Sequence, residues 1–130
     1  MKTLIRKVLM AVVSLTILNV WLLRFSRASM YRGGNATDLA SEFAAYGLSS
    51  QTMYVVGIIK VLAALLLLIG IRYSKLIQPA LLIIAVMMSG AIYFHISIED
   101  AWIKSLPAAL LLSATLLLLY WQREEYKLKQ

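Results

Sequence analysis

Four long apolar runs decide what this chain can fold into. They extend from about Val8 to Phe25, Met53 to Ile71, Leu76 to His95 and Ile103 to Trp121. Each holds roughly 18–20 residues, close to the ~20 that an α-helix needs to cross a hydrocarbon core ~30 Å thick. A soluble helix carries polar residues at helical spacing on the face it shows to water. These runs carry almost none. Hydrophobic residues make up 62% of the 130, and the mean hydropathy is +0.81. An ordinary soluble domain has roughly 45–50% apolar content. One small domain cannot hide that much apolar surface in its own core, so lipid has to cover the rest. The expected fold class is all-α: an integral membrane four-helix bundle, a single membrane domain over 1–130, with the lipid bilayer as its first partner.

Local punctuation agrees with this division. Ser49 and Ser50 can cap the second helix. Pro79 and Pro107 fall in the first turns of the third and fourth, where a missing N–H costs little. Tyr54, Tyr73, Tyr93, Trp102, Tyr120 and Trp121 stand near the expected ends, where an interfacial aromatic belt places them.

The net charge of +7 would suggest nucleic acid in a soluble protein. Here the basic residues cluster at the ends of apolar runs, where topology requires them, and no basic stripe interleaved with aromatics appears; no nucleic-acid partner is expected. Lys2, Arg6, Lys7, Arg72, Lys75, Arg123, Lys127 and Lys129 share one side, against Arg24, Arg27, Arg32 and Lys104 on the other. The side with eight should be cytoplasmic, with both termini there. The first run also has features of a signal peptide, with Ser26-Arg27-Ala28 as a loose cleavage site. The run is longer than a usual signal core and Arg24 and Arg27 crowd that site, so a retained helix is expected. With no cysteine, this chain has no thiolate nucleophile, disulfide relay or cysteine-held zinc or iron–sulfur site.

The longest connection runs from about Ser26 to Thr52. Tyr31-Arg32-Gly33-Gly34-Asn35 reads as a turn. The following stretch, about 37–47, reads as a short interfacial helix capped by Thr37, with Asp38 in its first turn. Leu39, Phe43 and Tyr46 share a face, and Gly47 ends the helix with Leu48 folding back. This segment is either a lid over the bundle or a packed connector.

Lys60 is the sharpest polar feature. It lies about 10 Å below the outer edge of the second span at 1.5 Å per residue. A charged residue at that depth is expensive and, by default, functional. The alternative is a side chain that snorkels to the headgroups. If Lys60 faces the bundle, Glu42, Glu99 or Asp100 is its expected partner. The other polar residues share its half of the membrane. Arg24, Glu42, Tyr46, Lys60, His95, Glu99 and Asp100 can converge on one outer pocket as ligand-binding residues, with Asn19, Ser89 and Lys104 nearby. The inner half is nearly all aliphatic. A single His can supply only one metal or haem ligand, so no metal site and no intrinsic cofactor are expected. His95 paired with Glu99 or Asp100 is the plain reading, and no catalytic group is assigned, since a lone His lacks a recognisable nucleophile or second base.

Several of these stretches together resemble the DoxX-like family of small bacterial four-helix membrane proteins. They are Trp21-Leu22-Leu23-Arg24-Phe25, Tyr31-Arg32-Gly33-Gly34, Glu42-Phe43-Ala44-Ala45-Tyr46-Gly47-Leu48, and Gly57-Ile58-Ile59-Lys60 with Ala63-Ala64. Ser89-Gly90-Ala91 with His95, Asp100, and Lys104-Ser105-Leu106-Pro107-Ala108 complete the set. The resemblance covers about 20–110 and implies a four-helix bundle in a bacterial inner membrane. The family takes its name from a subunit of an archaeal thiosulfate:quinone oxidoreductase. It therefore implies a redox-associated accessory role, with a quinone or similar lipophile as ligand and a membrane or peripheral oxidoreductase subunit as partner. A homo-oligomer is compatible with it. The alternative is a noncatalytic membrane scaffold or stress protein whose buried charges are structural. A transporter is less favoured, since no inverted repeat or paired broken helices appear.

Overall fold

Residues 2–24 and 30–128 are described by the computed structural model; Ser26–Ala28, the suggested processing stretch, and Lys129 lie outside them. The first run forms α1 (Lys2–Leu18), which continues as one π-helical turn over Asn19–Leu23. A short helix α2 (Leu39–Ala45) follows, then α3 (Ser50–Gly70), α4 (Ile77–Ser97) and α5 (Leu106–Leu128). Single 3₁₀ turns over Ser74–Leu76 and Trp102–Ser105 lead into α4 and α5. Four helices are long and apolar enough to cross a membrane, and the described residues contain no strand.

Each long helix buries one stripe and shows the rest to lipid. On α1 the stripe is Met10, Val13, Ser14, Ile17 and Trp21, the three-to-four spacing of one helical face. On α4 it is Ile77, Ala80, Leu81, Ile84, Met88 and His95, and on α5 it is Ala108, Thr115 and Leu118. On α3 it is Met53, Gly57, Ala63, Ala64, Leu67 and Gly70. Lys60 falls in that same register, three residues after Gly57 and four before Ala64, so its Cβ points into the bundle. Val12, Ile58, Leu62, Leu82, Val86 and Leu116 lie off the stripes and are exposed, as lipid-facing residues should be. α1 packs on α3, α3 on α4, α4 on α5 and α5 back on α1. Consecutive spans are therefore neighbours, as the short connections at 71–76 and 98–105 require, and α1 and α3 meet across the long one. Small buried residues, Ala63, Ala64 and Ala80, let the backbones approach.

The two ends of the bundle differ. At the end holding both termini, Arg6 of α1 forms an ion pair with Glu125 and donates to Gln122 of α5. The opposite end carries α2, which packs on α3. The lid helix spans two turns, and Asp38 rather than the expected Thr37 is its N-cap. The Asp38 carboxylate accepts from the Ser41 N–H at 2.8 Å, and the Ser41 hydroxyl reaches back to the Asp38 N–H. A carboxylate there also faces the positive end of the helix dipole. The helix ends in a Schellman turn, Leu48 N–H to Phe43 O at 2.9 Å and Gly47 N–H to Ala44 O at 3.0 Å. Gly47 has φ +79°, the left-handed conformation that this turn demands. Leu39 and Phe43 are buried under the helix.

Candidate functional site

The lid end encloses a cleft of about 520 Å³ between the four spans and α2. Three local devices shape it. The first is the π turn at the top of α1, closed by the Arg24 N–H to Asn19 O bond at 2.9 Å. One extra residue per turn rotates the end of the helix, so that Asn19, Trp21 and Arg24 all border the cleft. Trp21 then packs against Gly57 of α3. A Cβ at Gly57 would stand 2.6 Å from two Trp21 ring carbons, so only glycine accommodates the indole. The second device is an aromatic ladder from wall to lid. Trp21 meets Phe43 edge-on at 5.9 Å, Phe43 meets Tyr46 at 6.1 Å, and Tyr46 stacks on Phe94 of α4 at 5.4 Å. Such pairs contribute about 0.5–1.5 kcal/mol each beyond the area they bury.

The third device is the end of α4. Asp100 N–H bonds to His95 O and Glu99 N–H to Ile96 O, both at 3.0 Å. This is a second Schellman turn, and Glu99 takes the left-handed position with φ 57°. A non-glycine residue there carries strain. The turn folds Asp100 back onto the histidine one turn below it.

The polar side chains form one connected network. Glu42 accepts from Arg32 Nη1 at 3.0 Å, from the Gly33 N–H at 3.1 Å and from the Tyr46 hydroxyl at 2.8 Å. Arg32 also donates to the Arg24 carbonyl at 2.6 Å. Asp100 faces His95 Nδ1 at 2.7 Å and accepts the Gly34 N–H at 3.0 Å. Lys104 lies 3.7 Å from Asp100 and donates to the Gly34 carbonyl. Burial works against the Asp100 charge. Hydrogen bonds from His95 and the Gly34 N–H, helped by Lys104, outweigh it and hold the carboxyl below its ordinary 3.8. An ionised carboxylate only accepts, so Nδ1 of His95 carries a proton and Nε2 is the ring atom left for other partners. Tyr46 O joins the halves: it stands 3.4 Å from both ring nitrogens of His95, long for a hydrogen bond. Burial, then the neighbouring Glu42 charge and hydrogen bond, push the Tyr46 phenol above its ordinary 10.0, so it stays protonated.

Five of the seven residues singled out in the sequence border the cleft: Arg24, Glu42, Tyr46, Lys60 and His95. Asp100 stands behind His95. Glu99 does not join them: it is exposed, and what it contributes is the backbone turn that aims Asp100. The expected pairing of Lys60 with Glu42, Glu99 or Asp100 is not formed; among the described residues Lys60 makes no ion pair. Arg32 has taken Glu42, and His95, Gly34 and Lys104 have taken Asp100. Lys60 Nζ instead lies over the Trp21 ring, 5.3 Å from its centroid, a cation–π distance.

Arg32 and Trp21 also border the cleft, and the sequence did not single them out as site residues. Arg32 counted only as a turn residue and a topological charge, yet it is 6% exposed. A pair ten residues apart across an irregular loop leaves no periodic signal. Trp21 faces the cleft because of the π turn, which nothing in Asn19-Val20-Trp21-Leu22-Leu23 announces. Among the described residues no group of His, Asp and Glu is arranged to hold a metal ion.

The family model described as the DoxX-like family matches residues 13–120, which takes in α3 and α4 whole, part of α1 and most of α5, the lid and every residue of the network. The chain belongs to the DoxX-like family. This DoxX-like protein is therefore a multi-pass membrane protein with a helical bundle. Neither the curated proteins nor the solved structures contain a match to it.

Proposed function

We propose that this DoxX-like protein binds a quinone or similar lipophile in the lidded cleft and serves as an accessory subunit to a membrane or peripheral oxidoreductase. The observation that carries the reading is the make-up of the cleft. Ile17, Val56, Met87, Met88 and Leu111 supply apolar walls, while Lys60, Tyr46 and His95 present polar atoms to the same space. That mixture of mostly apolar lining and a few placed polar groups is what small-molecule sites show. The residues present suit both forms of a quinone. The Lys60 ammonium is a donor for a carbonyl oxygen, and Nε2 of His95, with Nδ1–H held by Asp100, is an acceptor for a hydroxyl. Arg24 borders the same space and adds positive potential, which favours negative charge developing on an oxygen. The bound quinone would supply two-electron redox chemistry; this chain would bind it, orient it and keep water from it. Both termini lie in the cytoplasm in this reading, and the cleft opens on the far side of the membrane.

The test is mass spectrometry of lipids and quinones retained by gently extracted protein, beside binding of a short-chain quinone to the protein in nanodiscs. Quinone should exceed that of empty nanodiscs and fall at least tenfold in His95→Ala. Equal quinone in protein-loaded and empty discs, with no saturable binding, would sink the proposal. A second reading, a scaffold whose charges are structural, draws on the saturation of Glu42 and Asp100 by groups of this same chain. It expects His95→Ala to lower folded yield without changing ligand content.

A further inference from the structure

Two carboxylates of the network, Glu42 and Asp100, are used up. Both oxygens of Glu42 are engaged, one by Arg32 and the other by Gly33 and Tyr46. Both oxygens of Asp100 are engaged, one by His95 and the other by Gly34 with Lys104 beside it. The cation of Lys60 is left out of this pairing. Its position is fixed nonetheless. It follows Gly57 on the buried stripe of α3, and Trp21, seated on Gly57, offers its ring face at 5.3 Å. Ten residues into α3, Lys60 lies about 15 Å of helix rise below Ser50, beyond the reach of its own stem to the helix start.

An ammonium at that depth, over an aromatic face and in no ion pair among the described residues, has gained only part of a counter-charge. A charge taken from water is strongly penalised unless an opposite charge meets it. We propose that the cleft's occupant presents an ionised oxygen on an apolar body, and that Lys60 is its counter-charge. This rests on the reading of the cleft as a lipophile site and narrows it. The oxygen docks at Lys60 beside Trp21, and the apolar body lies along Ile17, Met87 and Leu111, which bound the same cleft. An ionised oxygen on such a body has two chemical sources: the carboxylate of a fatty acid and the acidic enol of a ring-hydroxylated quinone.

The experiment uses matched pairs that differ only in that charge. A long-chain fatty acid is compared with its methyl ester, and an alkyl hydroxynaphthoquinone with its O-methyl ether. The intact protein is held in phosphatidylcholine nanodiscs, with Trp102→Phe and Trp121→Phe so that emission reports on Trp21. Each acid is assayed at a pH where it is ionised. In at least one pair the acid should bind at least tenfold more tightly than its neutral partner, and the pair with the larger ratio names the source. Lys60→Met should weaken the acid at least tenfold more than the neutral partner, whereas Lys60→Arg should keep the preference. Equal binding of acid and neutral partner, or a preference that survives Lys60→Met, would overturn the counter-charge while leaving the lipophile site standing. No saturable binding of any probe would instead overturn the lipophile site on which the inference rests. The comparison of acid and neutral probes needs no variant at position 60, so poor folding of Lys60→Met does not decide it.

Discussion

Glu42→Gln tests whether the lid is held shut by charge or only by apolar contact. The side chains of Arg32 and Glu42 are 6% and 12% exposed, so solvent screening does little to weaken their 3.0 Å contact. The substitution keeps size and shape. The amide oxygen can still accept from the Gly33 N–H and the Tyr46 hydroxyl, but its NH₂ group then faces Arg32 Nη1, donor against donor. Removing one member of a buried, hydrogen-bonded ion pair typically costs about 3–5 kcal/mol. Because each 1.4 kcal/mol is about a tenfold change in an equilibrium constant, local opening of the lid should become roughly two to four orders of magnitude more frequent. Native-state hydrogen exchange reads this directly at the amides of Tyr46, Gly47 and Leu48, which bond back to Glu42, Phe43 and Ala44. Amides in the middle of α3 serve as the internal reference and should not change. A cycle with Arg32→Met should show coupling, since the double variant no longer leaves a guanidinium facing an amide. Exchange at 46–48 within threefold of the parent, or strict additivity in the cycle, would refute the charge-held lid and leave Leu39 and Phe43 as its anchors.

Other outcomes follow from the same geometry. Gly57→Ala places a methyl group 2.6 Å from the Trp21 ring; overpacking of this kind costs about 1–3 kcal/mol, and it should shift Trp21 emission and lower the melting temperature in nanodiscs. The Asp100 carboxyl sits below 3.8 in the folded chain, so its contribution is present above about pH 4 and is lost as the pH falls through the folded value. Hydrogen exchange at Gly34 should accordingly stay flat from neutral pH to about pH 4, after correction for intrinsic rates, and rise below it; in Asp100→Asn that acid-dependent rise should vanish. A reporter fused after Gln130 should behave as cytoplasmic and one inserted at Gly34 as extracytoplasmic, and the reverse pair of signals would overturn the proposed orientation.

The spans were legible because lipid leaves a one-dimensional record: about twenty consecutive apolar residues match the thickness of a bilayer and little else. The lid was legible for a similar reason, since Leu39, Phe43 and Gly47 each mark a local rule, a face or a turn. Its start was misplaced by one residue because Thr37 and Asp38 both qualify as caps, and Ser41, three residues beyond Asp38, decided between them. The partner of Lys60 was misread for a different reason. Depth along a helix shows which charges share a layer, but not which of several cations reaches a carboxylate first. Arg32 won Glu42 through the loop that also delivers the Gly33 N–H, and that contest is settled by three-dimensional closure. The π turn left no trace in composition either, and its consequence, Trp21 against Gly57, pairs residues 36 apart that share no periodic signal.

The cleft ends partway down the bundle. Its lining stops at Ile17, Lys60, Met87 and Leu111, and beyond it Val13, Ala64, Leu67, Leu81 and Leu118 are packed to 2% exposure or less. A molecule that enters beneath the lid meets a closed floor and leaves by the way it came. If the cleft holds a lipophile as proposed, it would equilibrate with one leaflet and be blind to the other, so two membranes with the same total lipid but different sidedness would load it differently.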